Sequence, residues 1–176
     1  LAKKAECAYP NMTDKDGNFD VDVALTTREV NRLIRSFHIS PAKLADKELD
    51  MPLGIGSGAG NIFGATGGVM EAALRSAYYF ATGENPDPDA FQDVRGMDGW
   101  KESTFTIAGN KLKIAVVNGL ANADKLLSAL KTGQVHYDFV EVMACPGGCV
   151  GGGGQPIHDQ KEMAALRAPV LYKQDR

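Results

Sequence analysis

The chain has 176 residues, 44% hydrophobic and 23% charged, and a formal net charge of −3 from 19 basic and 22 acidic side chains. That suits one compact globular domain or part of a larger one, and excludes a disordered chain and a membrane-spanning helix, which needs about 18 consecutive apolar residues. The slight acidity argues against nucleic acid as a partner, and three cysteines, an odd number, argue against a disulfide framework and for a reducing compartment.

The N-terminal residues 1–6 have neither the apolar core nor the cleavage pattern of a signal peptide. Asp14-Lys15-Asp16-Gly17 starts like a calcium loop, but its glycine comes too early and no closing Glu follows, so it reads as a surface turn. Thr26 followed by Glu29 fits a capping box, and Val30, Leu33, Ile34 and Phe37 recur at helical spacing up to the stop at Pro41. Residues 44–49 read as a short acidic turn of helix. Residues 68–82 form a long helix with Met70, Ala73, Leu74, Ala77 and Phe80 on one stripe and Gly83 as C-cap. Residues 84–89, with Pro86 and Pro88, are a loop.

Residues 104–107 and 111–117 alternate around Gly109-Asn110 and read as a hairpin. A helix over 122–131 carries Leu126, Leu127 and Leu130 and is closed by Gly133. A buried strand over 139–143 follows, then a last helix over about 159–166, broken by Pro169. Strand, helix and strand between 111 and 143 imply a parallel βαβ unit. The fold class is α/β, a partial parallel sheet with flanking helices, and no linker divides the chain into two domains.

Glycine is unevenly spread: of 20 glycines, seven lie in 54–68 and six in 147–154. The second window holds Cys145-Pro146-Gly147-Gly148-Cys149 at the end of the 139–143 strand. Two thiolates there are soft ligands suited to zinc, copper or an iron–sulfur cluster, and glycines let the backbone fold tightly over a bulky group. The alternatives are two reduced, half-buried cysteines; a radical-type iron–sulfur loop, which needs a Cys where Gly152 stands; and zinc, for which His158 is the only nearby candidate.

The first window invites a nucleotide-binding reading, but the dinucleotide fingerprint fails at Ala59 or Asn61, no strand precedes it, and no P-loop Gly-Lys-Ser/Thr follows. The window still ends at a helix N-terminus, which presents N–H groups to an anionic or electron-rich ligand. Phe63 is an apolar wall for a small dry pocket. Close helix packing alone is the plain alternative for these glycines.

Together the windows resemble the catalytic domain of the iron-only ([FeFe]) hydrogenases. The run from Ser57-Gly58-Ala59-Gly60 through Ile62-Phe63-Gly64-Ala65-Thr66-Gly67-Gly68 to Arg75 is similar to that family's central loop and helix, and residues 141–156 to its last cysteine motif. Leu25-Thr26-Thr27-Arg28-Glu29, Val94-Arg95-Gly96, Val116-Val117-Asn118-Gly119 and Val170-Leu171-Tyr172 with Gln174-Asp175 match as well, so the resemblance covers essentially the whole chain. It implies hydrogen metabolism under anaerobic conditions. It also implies a 4Fe–4S cubane sharing a cysteine sulfur with a two-iron unit that carries CO, CN⁻ and a bridging dithiolate. Carried over residue by residue, Cys145 is a cubane ligand and Cys149 the bridging cysteine. Met143 packs on the two-iron unit, Phe63 and the Gly64 backbone line its pocket, and Lys3 faces an iron-bound cyanide, where an ammonium donates a charge-assisted hydrogen bond.

The departures shape the remaining expectations. The family's other two cubane cysteines lie upstream, one in a Thr-Ser-Cys-Cys-Pro loop that also supplies the proton-relay thiol, and a later Ser-His-x-Asn segment is absent. Cys7 is not at a ligand position. The expectation is a segment truncated at both ends, the second half of a catalytic domain and inactive by itself, with the catalytic proton relay outside it. Its partners would be the missing half, a ferredoxin-like electron carrier and, through an exposed sheet edge, a second copy. A cytoplasmic location is expected, with the periplasm as the alternative. A non-catalytic cluster-assembly relative, a sensory hydrogenase and a nucleotide-binding α/β domain are the competing readings.

Overall fold

Residues 100–118 alternate polar with β-branched or aromatic side chains, and in the computed structural model they form a hairpin of β1 (Trp100–Ile107) and β2 (Asn110–Asn118). The structure describes residues 2–48, 50–52, 54–159 and 161–175, Ala2 and Lys3 as backbone only. It comprises two units, residues 55–152 with 162–176, and residues 1–54 with 153–161.

The first of these units holds a three-stranded sheet in the order β1-β2-β3, with β3 spanning Phe139–Met143. β1 and β2 are antiparallel; β2 and β3 are parallel, from Ile114↔Phe139 to Asn118↔Met143. The parallel pair is joined by helix α4 (Leu120–Lys131), the expected βαβ unit. The hairpin pairs Ile107 with Asn110, so its turn is Ala108-Gly109, one residue before the expected pair. Both turn residues have positive φ, 48° and 80°, as a two-residue turn matched to strand twist requires.

The sheet is covered on both faces, which explains the continuous apolar run in β2. Ile114 and Val116 face helix α3 (Gly68–Thr82), packing with Met70, Leu74, Phe91 and Val94. Ala115 and Val117 face α4, packing with Ala123, Leu126 and Tyr137. Ile114, Val116 and Val117 are at most 1% exposed, and burying such a side chain contributes about 1.5–3 kcal/mol. Helix α3 occupies the expected residues, with Gly83 at φ 78° as its C-cap.

The last helix, α5, spans Ala164–Gln174 and carries Pro169 inside it. The expected helix over 159–166 ending before Pro169 is therefore corrected. Pro169 removes a hydrogen bond to the Ala165 carbonyl, but both residues are exposed, so water can take that carbonyl. Asn61 Nδ2 and Arg167 Nη1 donate to the Gln174 and Val150 carbonyls, tying α5 to its unit.

In the other unit, α1 (Ala2–Glu6) and α2 (Thr27–Ser36) are linked by an ion pair between Lys4 and Glu29. The capping box is present, with Glu29 N donating to Thr26 Oγ1 and Thr26 N donating to Glu29. Lys4 and these Thr26 contacts hold the Glu29 carboxyl down at about 2. Arg28 donates to the carbonyls of Gly153 and Gln155. Asp14 accepts from the Asp16 and Asn18 amides, which makes the expected surface turn. The acidic helical turn expected over 44–49 is corrected: a short 3-10 turn lies at Pro41–Lys43, residues 45–48 are irregular, and Leu49 is outside the described residues. None of the described residues of this unit is buried.

Candidate metal centre

Strand β3 delivers Met143, and the chain then turns through Cys145-Pro146-Gly147-Gly148 into a 3-10 turn at Cys149–Gly151. The loop is held by its own backbone. Gly148 N donates to Cys145 O, Gly151 N to Gly148 O and Gly152 N to Cys149 O, each at 3.0 Å. Asn118, at the end of β2, accepts from Gly147 N through Oδ1 and donates to Asp98 O through Nδ2. Cys145 is half-buried and Cys149 exposed.

The first glycine window lies against this loop. It forms a 3-10 segment, Gly58–Gly64, in which Ile62 is fully buried and Phe63 is 47% exposed. Thr66 N donates to Gly147 O at 3.1 Å. A Cβ on Gly148 would stand 2.8 Å from Gly64 O and from Thr66 N, so only glycine permits this approach. The structure thus brings the Phe63-Gly64 segment and the Cys145–Cys149 loop, expected to share a site, into backbone contact. Met143 is half-buried at the loop's entry. Lys3 is in α1, in the other unit, and its side chain is outside the described residues.

The helix N-terminus that closes the first window does not wait for a ligand. Glu141, 5% exposed on β3, accepts from Gly67 N and Met70 N, both at 2.7 Å. Burial raises its pKa above the ordinary carboxylate value, against the lowering effect of the backbone N–H groups of Gly67, Met70 and Val69. Sequence reasoning placed Glu141 in the cysteine motif without a role. The available signal was an acidic residue at an inward position of an apolar strand.

A second buried network also went unassigned. Glu71, fully buried on α3, accepts from Arg95 Nε and Nη2 and from Arg75 Nη2 at 2.5–2.7 Å. Arg75 also makes a bidentate pair with Asp175, whose hydrogen bonds raise the Arg75 pKa above its ordinary value. Arg95 lies 4.2 Å above the Tyr172 ring. The separate matches at Glu71, Arg75, Arg95, Tyr172 and Asp175 are thus one cluster in space. Beside it a cavity of about 680 Å³ is lined by Thr66, Arg95, Met97, Gly147, Pro169 and Tyr172. The Thr66 and Tyr172 hydroxyls are buried there without a hydrogen-bond partner, and burial pushes Tyr172 up to about 12.

Chemically, the site offers two thiols on a glycine loop that packs closely around them: a Cβ on Gly152 would stand 3.1 Å from Cys149 O and 3.9 Å from Cys145 Sγ. Among the described residues no three His, Cys, Asp or Glu side chains gather to hold a metal ion. A cubane takes four thiolates, so this donor set fits half of one and suits a shared site.

Residues 1–153 match the family described as the iron only hydrogenase large subunit, C-terminal domain, and the chain belongs to this family. It is 50% identical over 176 residues to the NADP-reducing hydrogenase subunit HndD of Solidesulfovibrio fructosivorans, covering 99% of this chain and 30% of that protein. It is 34% identical over 158 residues to the cytosolic iron-sulfur assembly component 3 of Mus musculus, covering 87% of this chain and 33% of that protein. Among solved structures, [FeFe]-hydrogenase HydA1 from Chlamydomonas reinhardtii superposes with a TM-score of 0.76 at 35% identity, over 98% of this chain and 50% of that one. The chain thus spans about a third of these curated relatives and half of the solved chain. The expected family and α/β fold are borne out. The nucleotide-binding reading loses its ground, since among the described residues no strand precedes residues 54–68 and Glu141 occupies the α3 N-terminus. No helix among the described residues is long and apolar enough to cross a membrane.

Proposed function

We propose that residues 1–176 form the second half of an iron-only hydrogenase catalytic domain and contribute one wall of the site for reversible reduction of protons to H₂. The observation that carries this reading is the pair of thiols at the end of β3 on a loop that packs Gly148 against Gly64 and accepts a hydrogen bond from Thr66 N at Gly147 O, in a chain of the hydrogenase family. Cys145 would ligate the cubane and Cys149 would bridge it to the two-iron unit. When bound, this cluster supplies the redox equivalents and the open metal position for hydrogen chemistry. Met143 and Phe63 supply apolar surface that excludes water, Gly64 lets the backbone come close, and Lys3 would neutralise an anionic diatomic ligand. The proton relay, the other two thiolates and a ferredoxin-like electron donor would come from outside these residues. The odd cysteine count supports a cytoplasmic setting.

The cluster-assembly reading is weaker, because identity to HndD is 50% against 34% to the assembly component. The exposed Phe63 loop also has little use in a protein that holds only a cubane. The test is anaerobic reconstitution with iron and sulfide, alone and mixed with a polypeptide supplying the upstream half of a hydrogenase catalytic domain. The expected result is no stoichiometric EPR-active cubane from the chain alone. A cubane should form in the mixture and be lost in Cys145→Ser and Cys149→Ser. Unchanged cluster loading in both variants would overturn the proposal.

A further inference from the structure

Glu71 and Glu141, both buried in the unit built on the sheet, are treated differently. Glu71 is answered by two guanidinium groups. For Glu141 every described partner is a backbone N–H, and those N–H groups belong to a helix 71–74 residues away in sequence. Helices are usually capped by a neighbouring Ser, Thr, Asp or Asn. Here the N-cap is Gly67, at φ 87° and with no side chain to offer, so α3 delegates its cap to β3. Glu141 lies four residues before Cys145, and Gly67 three residues after Gly64, so the contact joins the roots of both loops. Further out, Thr66 N bonds Gly147 O and Gly148 abuts Gly64.

From this geometry we infer that Glu141 is a positioning residue, setting the spacing between the Phe63-Gly64 segment and the Cys145–Cys149 loop so that both face one iron site. The inference rests on the hydrogenase reading for the identity of that site. A buried carboxylate with no cation is a costly way to cap a helix. Its use in place of a local cap is explained by the coupling it creates between two loops.

The test has two arms. In the first, amide hydrogen exchange at Thr66, Gly67 and Met70 is compared in the unsubstituted chain, Glu141→Gln, Glu141→Asp and Leu126→Ala. Leu126 is buried against α4's face of the sheet, so Leu126→Ala controls for general loss of stability. The expected result is about tenfold faster exchange at these amides in Glu141→Gln, whose NH₂ group faces one of the two donors, beyond any change in Leu126→Ala. In the second arm, infrared bands of the iron-bound diatomic ligands are recorded in the loaded hydrogenase carrying this segment. They should shift or broaden in Glu141→Gln and move back towards the original in Glu141→Asp. Unchanged exchange in Glu141→Gln overturns the inference whatever the iron content. Faster exchange with unmoved bands makes Glu141 a structural cap and also overturns it. Absence of any diatomic bands in the unsubstituted enzyme defeats the hydrogenase reading instead, and the exchange arm still decides whether Glu141 couples the loops.

Discussion

Replacing Glu71 with Ala should destabilise the sheet-bearing unit more than any surface change, because it strips Arg95 of its carboxylate partner and leaves Arg75 with Asp175 alone. Glu71 is fully buried and accepts three charge-assisted hydrogen bonds, one from Arg75 and two from Arg95. The arginine side chains are only 20% and 22% exposed, so water restores little of what is lost. Breaking a buried pair by removing one partner costs about 3–5 kcal/mol. With a urea dependence of about 2 kcal/mol per molar, the unfolding midpoint should fall by about 1.5–2.5 M. Glu71→Gln keeps an acceptor and the volume and should lose about half as much. The assay is urea titration followed by far-ultraviolet circular dichroism, with Arg95→Met as a companion variant. In the double variant Glu71→Ala with Arg95→Met, the loss should be smaller than the sum of the single losses, because one stranded cation has gone. A midpoint shift below about 0.5 M for Glu71→Ala would refute the reasoning, since that is the size expected of a solvated surface pair.

Burial holds the Glu141 pKa above its ordinary value, so the folded chain keeps that proton more tightly than the unfolded chain does. Its contribution to stability is therefore fullest below the ordinary carboxylate pKa and declines as pH rises through the raised one; Glu141→Gln should lack this decline, and melting temperatures across pH 4–8 that fall equally in both proteins would contradict it. Gly148 has φ 89° and ψ −160°, a region essentially closed to other residues, and a Cβ there meets Gly64 O at 2.8 Å. Gly148→Ala should cost about 2–4 kcal/mol and loosen Thr66 and Gly147 by hydrogen exchange, and a stability equal to the parent's would count against the tight loop contact. β3 is an edge strand with Phe139 46% and Val142 51% exposed, so the chain should associate as concentration rises, and Val142→Lys should suppress this in light scattering. Monodisperse monomer from the unsubstituted chain would remove the exposed-edge argument.

Elements specified by adjacent residues were legible in the sequence. The capping box of Thr26 and Glu29, the ends of α3 at Gly68 and Gly83, and the β3 strand all lie where local pattern puts them. Misplacements came where a local signal was overruled. Pro169 reads as a breaker, yet it and Ala165, whose carbonyl it leaves without a helical donor, are both exposed, and α5 continues to Gln174. The hairpin turn moved by one residue because the Ile107–Asn110 pairing put Ala108, an unusual residue at positive φ, into the turn. The glycine windows announced the site, since close backbone approach requires that composition. Glu71 and Glu141 did not announce themselves, because their partners lie up to 24 and 74 residues away and a carboxylate in an apolar segment has no local meaning.

The loop carrying Cys145 and Cys149 draws its shape from amide-to-carbonyl bonds and from Asn118. In small zinc domains metal binding and folding are one event, so chelation unfolds the chain. Here the thiols sit on a frame that is already set, and Cys149 is exposed at its rim. Iron would therefore arrive as cargo at a finished dock. Stripping it should empty the loop while the strands beneath it keep their melting temperature.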